Sequence, residues 1–220
     1  MWLYTLLLSS PDFKQSISAR SDLDTLILPL LRSLYFSTTV AHADSSMTQT
    51  RGQLSQLITR TPTAWPFRSQ SQLYVILILL LIFSQDPAFG RDSFRRVRVP
   101  KSAVKWYKEL QKEVSLGSMI LLVLLRTITF NLNRLHDEFL LSNTCAVLLN
   151  LSPHIVDLND YYVASRLISV TTSCFKRYVT LLAENGGEPE FEGDVSSLLG
   201  MHGEVSETIL CIIRVLILCE

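Results

Sequence analysis

Hydrophobic positions along this chain come in two kinds, and the alternation between them predicts the architecture. Across Asp157–Glu184, Val163, Leu167, Val170, Cys174, Tyr178 and Leu181 recur at spacings of three and four. Arg166, Ser169, Ser173, Lys176, Arg177 and Thr180 take the other face. That pattern is an amphipathic helix, and Asn185-Gly186-Gly187 stops it. Glu113–Ser152 is different: it is apolar on nearly every side. It reads as two adjoining helices, Ser115–Asn133 and about Leu135–Leu151, the second ending at Ser152-Pro153. A helix apolar all round must be covered all round, by lipid or by neighbouring helices. Leu73–Phe83 poses the same question. Its 11 residues give about 17 Å of helix, against a bilayer core of about 30 Å. The apolar run Met119–Leu125 is shorter still. Buried core helices are the better reading of both, with a strand as the alternative that β-branched residues leave open for Leu73–Phe83.

The remaining elements are helical too. Leu3–Leu8 is a short helix end broken by Ser9-Ser10-Pro11. Ser21 serves as an N-cap for a helix running to about Phe36, with Asp22 and Asp24 in its first turn and Pro29 as a kink. Pro100 opens a helix through about Glu113, and roughly Glu204–Leu218 forms the last one. Between Ser37 and Gln72 the composition turns to Ser, Thr, Gln, Arg and Pro, which predicts a disordered insertion. The division is therefore 1–36, a helical start; 37–72, the insertion; and 73–220, a helical segment with an acidic loop at 185–194. Strand signals are almost absent. Alternating amphipathic and fully apolar helices are expected when helices stack in layers. The span from Ser115 to Pro153 falls near the period of armadillo and HEAT units, and CAVLLNLS (Cys145–Ser152) resembles the inner helix of an armadillo unit. No second unit repeats it. The fold class is all-α: stacked antiparallel helices, an armadillo/HEAT-like α-solenoid fragment.

Composition narrows the partners. Of 220 residues, 48% are hydrophobic and 18% charged, richer in core material than a typical soluble domain. Twenty basic residues balance twenty acidic ones, so no overall field draws nucleic acid or an anionic membrane. The four cysteines, Cys145, Cys174, Cys211 and Cys219, sit inside apolar helical patterns and read as buried, reduced thiols. Met1-Trp2-Leu3-Tyr4-Thr5 lacks signal-peptide features, and no Gly follows Met1 for myristoylation. Both ends read as cuts through a larger fold.

Candidate chemistry is sparse. There is no phosphate-binding lysine loop, nucleophile elbow, zinc-protease helix or dinucleotide glycine pattern. His42, His136, His154 and His202 fall in four segments, none with a second ligand at metal spacing. Ser152, His154 and Asp157 are too close in sequence to converge as a triad, and capping is the better reading. Glu188, Glu190, Glu192 and Asp194 lack calcium-loop order and read as a solvated loop. Asn150-Leu151-Ser152 matches a glycosylation acceptor at a helix end. These patterns predict no enzyme, cofactor or metal. The basic connector Phe89–Lys105, with Arg91, Arg95, Arg96, Arg98, Lys101 and Lys105, is the one candidate surface. It reads as a solvated linker or as a contact for anionic headgroups or an acidic partner, worth at most about 1 kcal/mol per basic residue.

A family resemblance runs through these segments. LYTLLLSS (Leu3–Ser10), ARSDLDTLILPLLRSLYF (Ala19–Phe36) and LYVILILLLIFSQDPAFGR (Leu73–Arg91) resemble dymeclin sequences in order. So do Trp106–Ser152 and ASRLISV (Ala164–Val170), bringing the likeness to roughly three quarters of the chain. The resemblance implies a helical, armadillo-like protein without enzymatic activity. It implies peripheral Golgi association with exchange into cytoplasm, support of Golgi organisation and vesicle trafficking, and partners among the proteins of that machinery. It carries no catalytic residues. Residues 37–72 have no place in the family pattern, and the N-terminal acylation site that the resemblance implies for the family has no counterpart in this sequence. The alternative reading is an integral membrane protein using Leu73–Phe83 and Leu116–Leu125 as short or re-entrant spans. Arg126 close behind the second run and the amphipathic Asp157–Glu184 disfavour it.

Overall fold

The computed structural model describes residues 2–18, 22–44, 70–110, 112–155, 161–184 and 194–218. Its elements are α1 (Trp2–Ser9), α2 (Pro11–Ser18), α3 (Leu23–Asp44), α4 (Gln70–Ser84) and α5 (Pro87–Arg95), then β1 (Arg98–Val99) and β2 (Val114–Ser115). After them come α6 (Leu116–Phe130), a π-helical turn (Asn131–Leu135), α7 (Glu138–Leu151), α8 (Tyr161–Glu184) and α9 (Asp194–Leu218). The fold is all-α, with one two-residue antiparallel sheet pairing Arg98 with Ser115 and Val99 with Val114.

Helix α6 occupies the centre. Every residue from Leu116 to Leu125 is buried, and α3, α5, α7 and α8 all pack against the helix. At about 1.5–3 kcal/mol for each fully buried Leu, Ile or Met, this helix is a main source of the driving force for folding. Ser115 starts it: its hydroxyl oxygen accepts from the Ser118 N–H at 3.0 Å. Asp86 caps α5 in the same way through Ala88 at 2.9 Å, with Pro87 at the first helical position, where no N–H is missed. Between α6 and α7 the buried Asn131 works as a clip. Its amide donates to the Asp137 carbonyl at 2.9 Å and accepts from the Asp137 N–H at 3.0 Å. The chain passes this turn through His136 in a left-handed conformation, φ 53°. Asp137 then caps α7 through the Leu140 N–H and also accepts from the Tyr74 hydroxyl, tying α4 to α7.

Several expectations need correcting. The helix ending near Phe36 runs on to Asp44, and α4 begins at Gln70, so 37–44 and 70–72 are helix rather than insertion. Ser37 and Thr38 are tolerated because their hydroxyls donate back to the Ser33 and Tyr35 carbonyls. Residues 45–69, the Ser21 cap, Asp157 and residues 185–193 of the acidic loop lie outside the described residues. The helix expected from Pro100 to Glu113 is absent. Successive turns replace it, bonded from Ala103 N–H to Pro100 O, Val104 to Lys101, Tyr107 to Val104 and Leu110 to Tyr107. The β1–β2 pair pins both ends, and Val104, Tyr107 and Leu110 are pulled into the core. The connector Phe89–Lys105 is likewise partly ordered core: Phe89 and Phe94 are buried on α5. Finally, α6 and its π-helical turn together run 20 residues, Leu116–Leu135, long and apolar enough by length and composition to cross a membrane. That is longer than the run read from sequence, but 78% of its most apolar window is buried inside the fold.

Candidate functional site

The six basic residues singled out from sequence all stand at the surface. Arg91 and Arg95 lie one turn apart on α5, Arg96 follows that helix, Arg98 is on β1, and Lys101 and Lys105 occupy the turns beyond. Arg96 is engaged with Asp92 at 3.2 Å, an exposed i,i+4 pair of small energetic value. Close packing fixes the helix that carries this basic group. Gly117 of α6 lies against the buried Phe94 ring, and Gly90 against the His154 ring. A Cβ on Gly90 would fall 2.2 Å from His154 Cδ2, so only glycine admits that approach. Burial, then the charges of Arg91 and Arg95, hold the His154 imidazole below its usual range.

His154 therefore packs across to α5 instead of capping, and the Ser152 hydroxyl donates to the Leu149 carbonyl at 2.8 Å. Asn150, the glycosylation candidate, donates to the Ser84 hydroxyl at 3.1 Å. Among the described residues no group of three or more His, Cys, Asp or Glu is arranged to hold a metal. Cys145 and Cys174 are buried free thiols, pushed up to about 12 and about 11 by desolvation. Cys211 is exposed, contrary to the expectation of burial, and Cys219 lies outside the described residues.

Arg126, which on sequence argued against a membrane span, is the hub of a second cluster. Its guanidinium lies 4.5 Å from the Tyr35 ring centroid and 3.4 Å from Glu109. Tyr35 in turn meets Trp106 and Tyr107 with centroids 5.2 and 5.3 Å apart. These contacts fasten α3, the 101–110 turns and α6 together, a structural role.

Helix α8 departs most from its sequence reading. The apolar face Val163, Leu167, Val170, Cys174 and Leu181 is buried as expected. On the opposite side, Ile168, Phe175 and Val179 stand out at 60%, 59% and 46% exposure. Their spacings of seven and four place them on one outward stripe, a second apolar face that the sequence reading did not count. Its expected polar face also divides. Arg166, which is half-buried, and the exposed Ser169, Ser173 and Arg177 border a cleft with Thr129 and His202, while the exposed Lys176 and Thr180 lie outside it. The local signal for that cleft was a 166–169–173–177 stripe with no acid in it; its other wall comes from α6 and α9.

The family described as "Dymeclin: Dyggve-Melchior-Clausen syndrome protein" matches residues 1–218. Dymeclin of Xenopus laevis is 32% identical over 183 residues, covering 83% of this chain and 23% of that protein. Dymeclin of Mus musculus is 31% identical over 183 residues, with the same shares. The Dictyostelium discoideum protein is 33% identical over 181 residues, 81% of this chain and 16% of its own length. The chain thus spans about a quarter or less of the relatives it matches. No solved structure matches it. With a family match that runs from Met1 to Leu218, the chain belongs to the dymeclin family.

Proposed function

We propose that this chain is a non-enzymatic helical scaffold of the dymeclin type. It supports Golgi organisation and vesicle trafficking through contacts with proteins of that machinery, and distributes between cytoplasm and the cytosolic face of the Golgi. The armadillo-like stacking of its helices belongs to the same proposal. The observation that carries the reading is the family match over residues 1–218. Two features of the fold support it. The apolar segments are covered by other helices, as a peripheral protein requires. The outward stripe Ile168, Phe175 and Val179 supplies apolar area of the kind protein contacts use. The exposed basic residues of α5 and the following turns add a contact for anionic headgroups at the Golgi membrane.

Cell fractionation tests the proposal. The tagged chain should divide between cytosol and a Golgi fraction, leave the membrane on alkaline washing, and co-purify with trafficking proteins. Retention in the membrane pellet after that wash would overturn the peripheral reading. A chain found away from the Golgi, while longer dymeclin is found there, would overturn the functional one. Charge reversal at Arg91, Arg95, Arg98, Lys101 and Lys105 should weaken association with anionic liposomes; unchanged association removes the basic surface from the proposal.

A further inference from the structure

The cleft beside α8 has no part in the reading above. It measures about 200 Å³ and lies between the end of α6 with its π-helical turn, the polar stripe of α8, and His202 of α9. Four observations converge on it. First, Arg166 and Arg177 both border it, eleven residues apart on one helix face, and among the described residues no Asp or Glu lines it. Second, neither arginine forms an ion pair among the described residues, unlike Arg96 with Asp92 and Arg126 with Glu109. The Cα atoms of Arg166 and Arg177 lie about 16 Å apart along the helix axis, a separation that two extended arginine side chains can span with an anion held between their guanidinium groups. Third, His202 is 6% exposed and its Nδ1 has no hydrogen-bond partner among the described residues. A buried ring nitrogen left unsatisfied is rare in folded proteins and needs an explanation. Fourth, the hydroxyls sort into those already used and one that is not. Thr129 and Ser173 give their protons to the Leu125 and Ser169 carbonyls, each at 2.9 Å. The Ser169 hydroxyl has no such partner among the described residues and stands between the two arginines along the stripe.

We propose that this cleft binds a phosphate monoester or inorganic phosphate. Arg166 and Arg177 supply the guanidinium contacts, Ser169 a hydroxyl donor, and His202 a ring nitrogen. Guanidinium forks match phosphate oxygens in geometry and charge. Leu132 and Val170 line the same cleft beside the buried His202, while Ser169 and Arg177 stand open to solvent, so an anion can enter from outside. The chemistry is the same for the free ion and for a phosphomonoester lipid headgroup, and the test separates these sources.

Inorganic phosphate is titrated into the full chain at constant ionic strength, against chloride, while the His202 imidazole resonances are followed by NMR. Phosphate should move those resonances saturably and chloride should not. Arg166→Gln and Arg177→Gln should each weaken the apparent affinity roughly tenfold or more, the usual loss for a charge-assisted contact. Lys176→Gln, an exposed neighbour outside the cleft, should change nothing. In a second arm, phosphatidylcholine vesicles carrying phosphatidic acid are compared with vesicles carrying an equal charge of phosphatidylserine, which has no phosphomonoester. Preference for phosphatidic acid that is lost in both arginine variants identifies the lipid source. A phosphate response without that preference identifies the free ion. If neither arm responds, or if the response survives both arginine substitutions in protein with unchanged circular dichroism, the proposal is wrong.

Discussion

Two glycine-to-alanine substitutions should shift stability in opposite directions, for reasons visible around each Cα. At Gly117, a Cβ would meet Phe94 Cδ1, Cε1 and Cε2 at 2.6, 2.6 and 2.7 Å. Carbon atoms rest at about 3.5–4.0 Å, so the ring would have to retreat by about 1 Å. Phe94 is only 5% exposed, wedged between α5 and α6, and has little room to do so. Overpacking of this kind costs about 1–3 kcal/mol. Because Gly117 is the second residue of α6, alanine's helix-propensity gain there falls below the roughly 1 kcal/mol of a helix interior. Gly117→Ala should therefore be destabilising by about 1–2 kcal/mol. Gly200 lies inside α9, exposed, with nothing within 4 Å of a built Cβ. There the propensity gain stands alone, so Gly200→Ala should be stabilising by up to about 1 kcal/mol. Urea denaturation followed by far-UV circular dichroism measures both, and each kcal/mol moves the thermal midpoint by about 2–4 °C. Phe94→Leu in the Gly117→Ala background should recover part of the loss, since leucine can yield where the ring cannot. A Gly117→Ala protein as stable as the parent would refute the packing of α5 on α6.

Three further outcomes follow from the buried polar groups. Burial, Arg177 and His136 depress the His202 imidazole below its ordinary 6.5, so unfolded chains take up a proton that the folded chain resists. Stability should be full above about pH 6.5 and fall as pH drops below it, with a slope of up to about 1.4 kcal/mol per unit; His154 acts in the same direction. His202→Asn should lessen that slope and leave the share due to His154, and a parent curve that stays flat below about pH 6.5 contradicts the assignment. Of the described cysteines, Cys211 should react with a maleimide in the native protein, while Cys145 and Cys174 react only on denaturation. Equal rates at Cys174 and Cys211 would place Cys174 at the surface. Asn131→Ala breaks two hydrogen bonds to the Asp137 backbone in a buried turn and should be destabilising by about 2–3 kcal/mol in urea. A loss under about 0.5 kcal/mol would show that the clip is dispensable.

Much of the helical pattern was legible because apolar runs have few ways to be satisfied. Leu73–Phe83 and Leu116–Leu125 could only be covered, and both lie within helices that other helices cover. What failed was decided by contacts distant in sequence. From Pro100 to Glu113 the local composition favours a helix, but Trp106 and Tyr107 pack at a tilt on Tyr35, far back in α3, and β1 pairs with β2. Tertiary contacts of this kind override a propensity worth tenths of a kcal/mol per residue. The α8 cleft escaped for a similar reason. Its arginine stripe is local, but only α9 returning against α8 brings His202 beside it. The outward stripe Ile168, Phe175 and Val179 was available to counting at spacings of seven and four, and was hidden by the stronger buried face.

The 20-residue stretch Leu116–Leu135 shows why length and hydropathy alone do not decide the solvent of a helix. Its polar side chains already have protein partners. Arg126 lies against Glu109 and Tyr35, Thr127 and Thr129 donate to the Val123 and Leu125 carbonyls, and both ends of the Asn131 amide hold Asp137. Its apolar side chains are packed by α3, α5, α7 and α8. Moving this helix into hydrocarbon would exchange one apolar surrounding for another, with no gain in area removed from water. It would also strip an arginine of its carboxylate, a loss of several kcal/mol in a low-dielectric medium. The threonine bonds are made within the helix and would survive in either surrounding, so it is Arg126, whose carboxylate partner Glu109 lies outside the helix, that ties this apolar stretch to the protein.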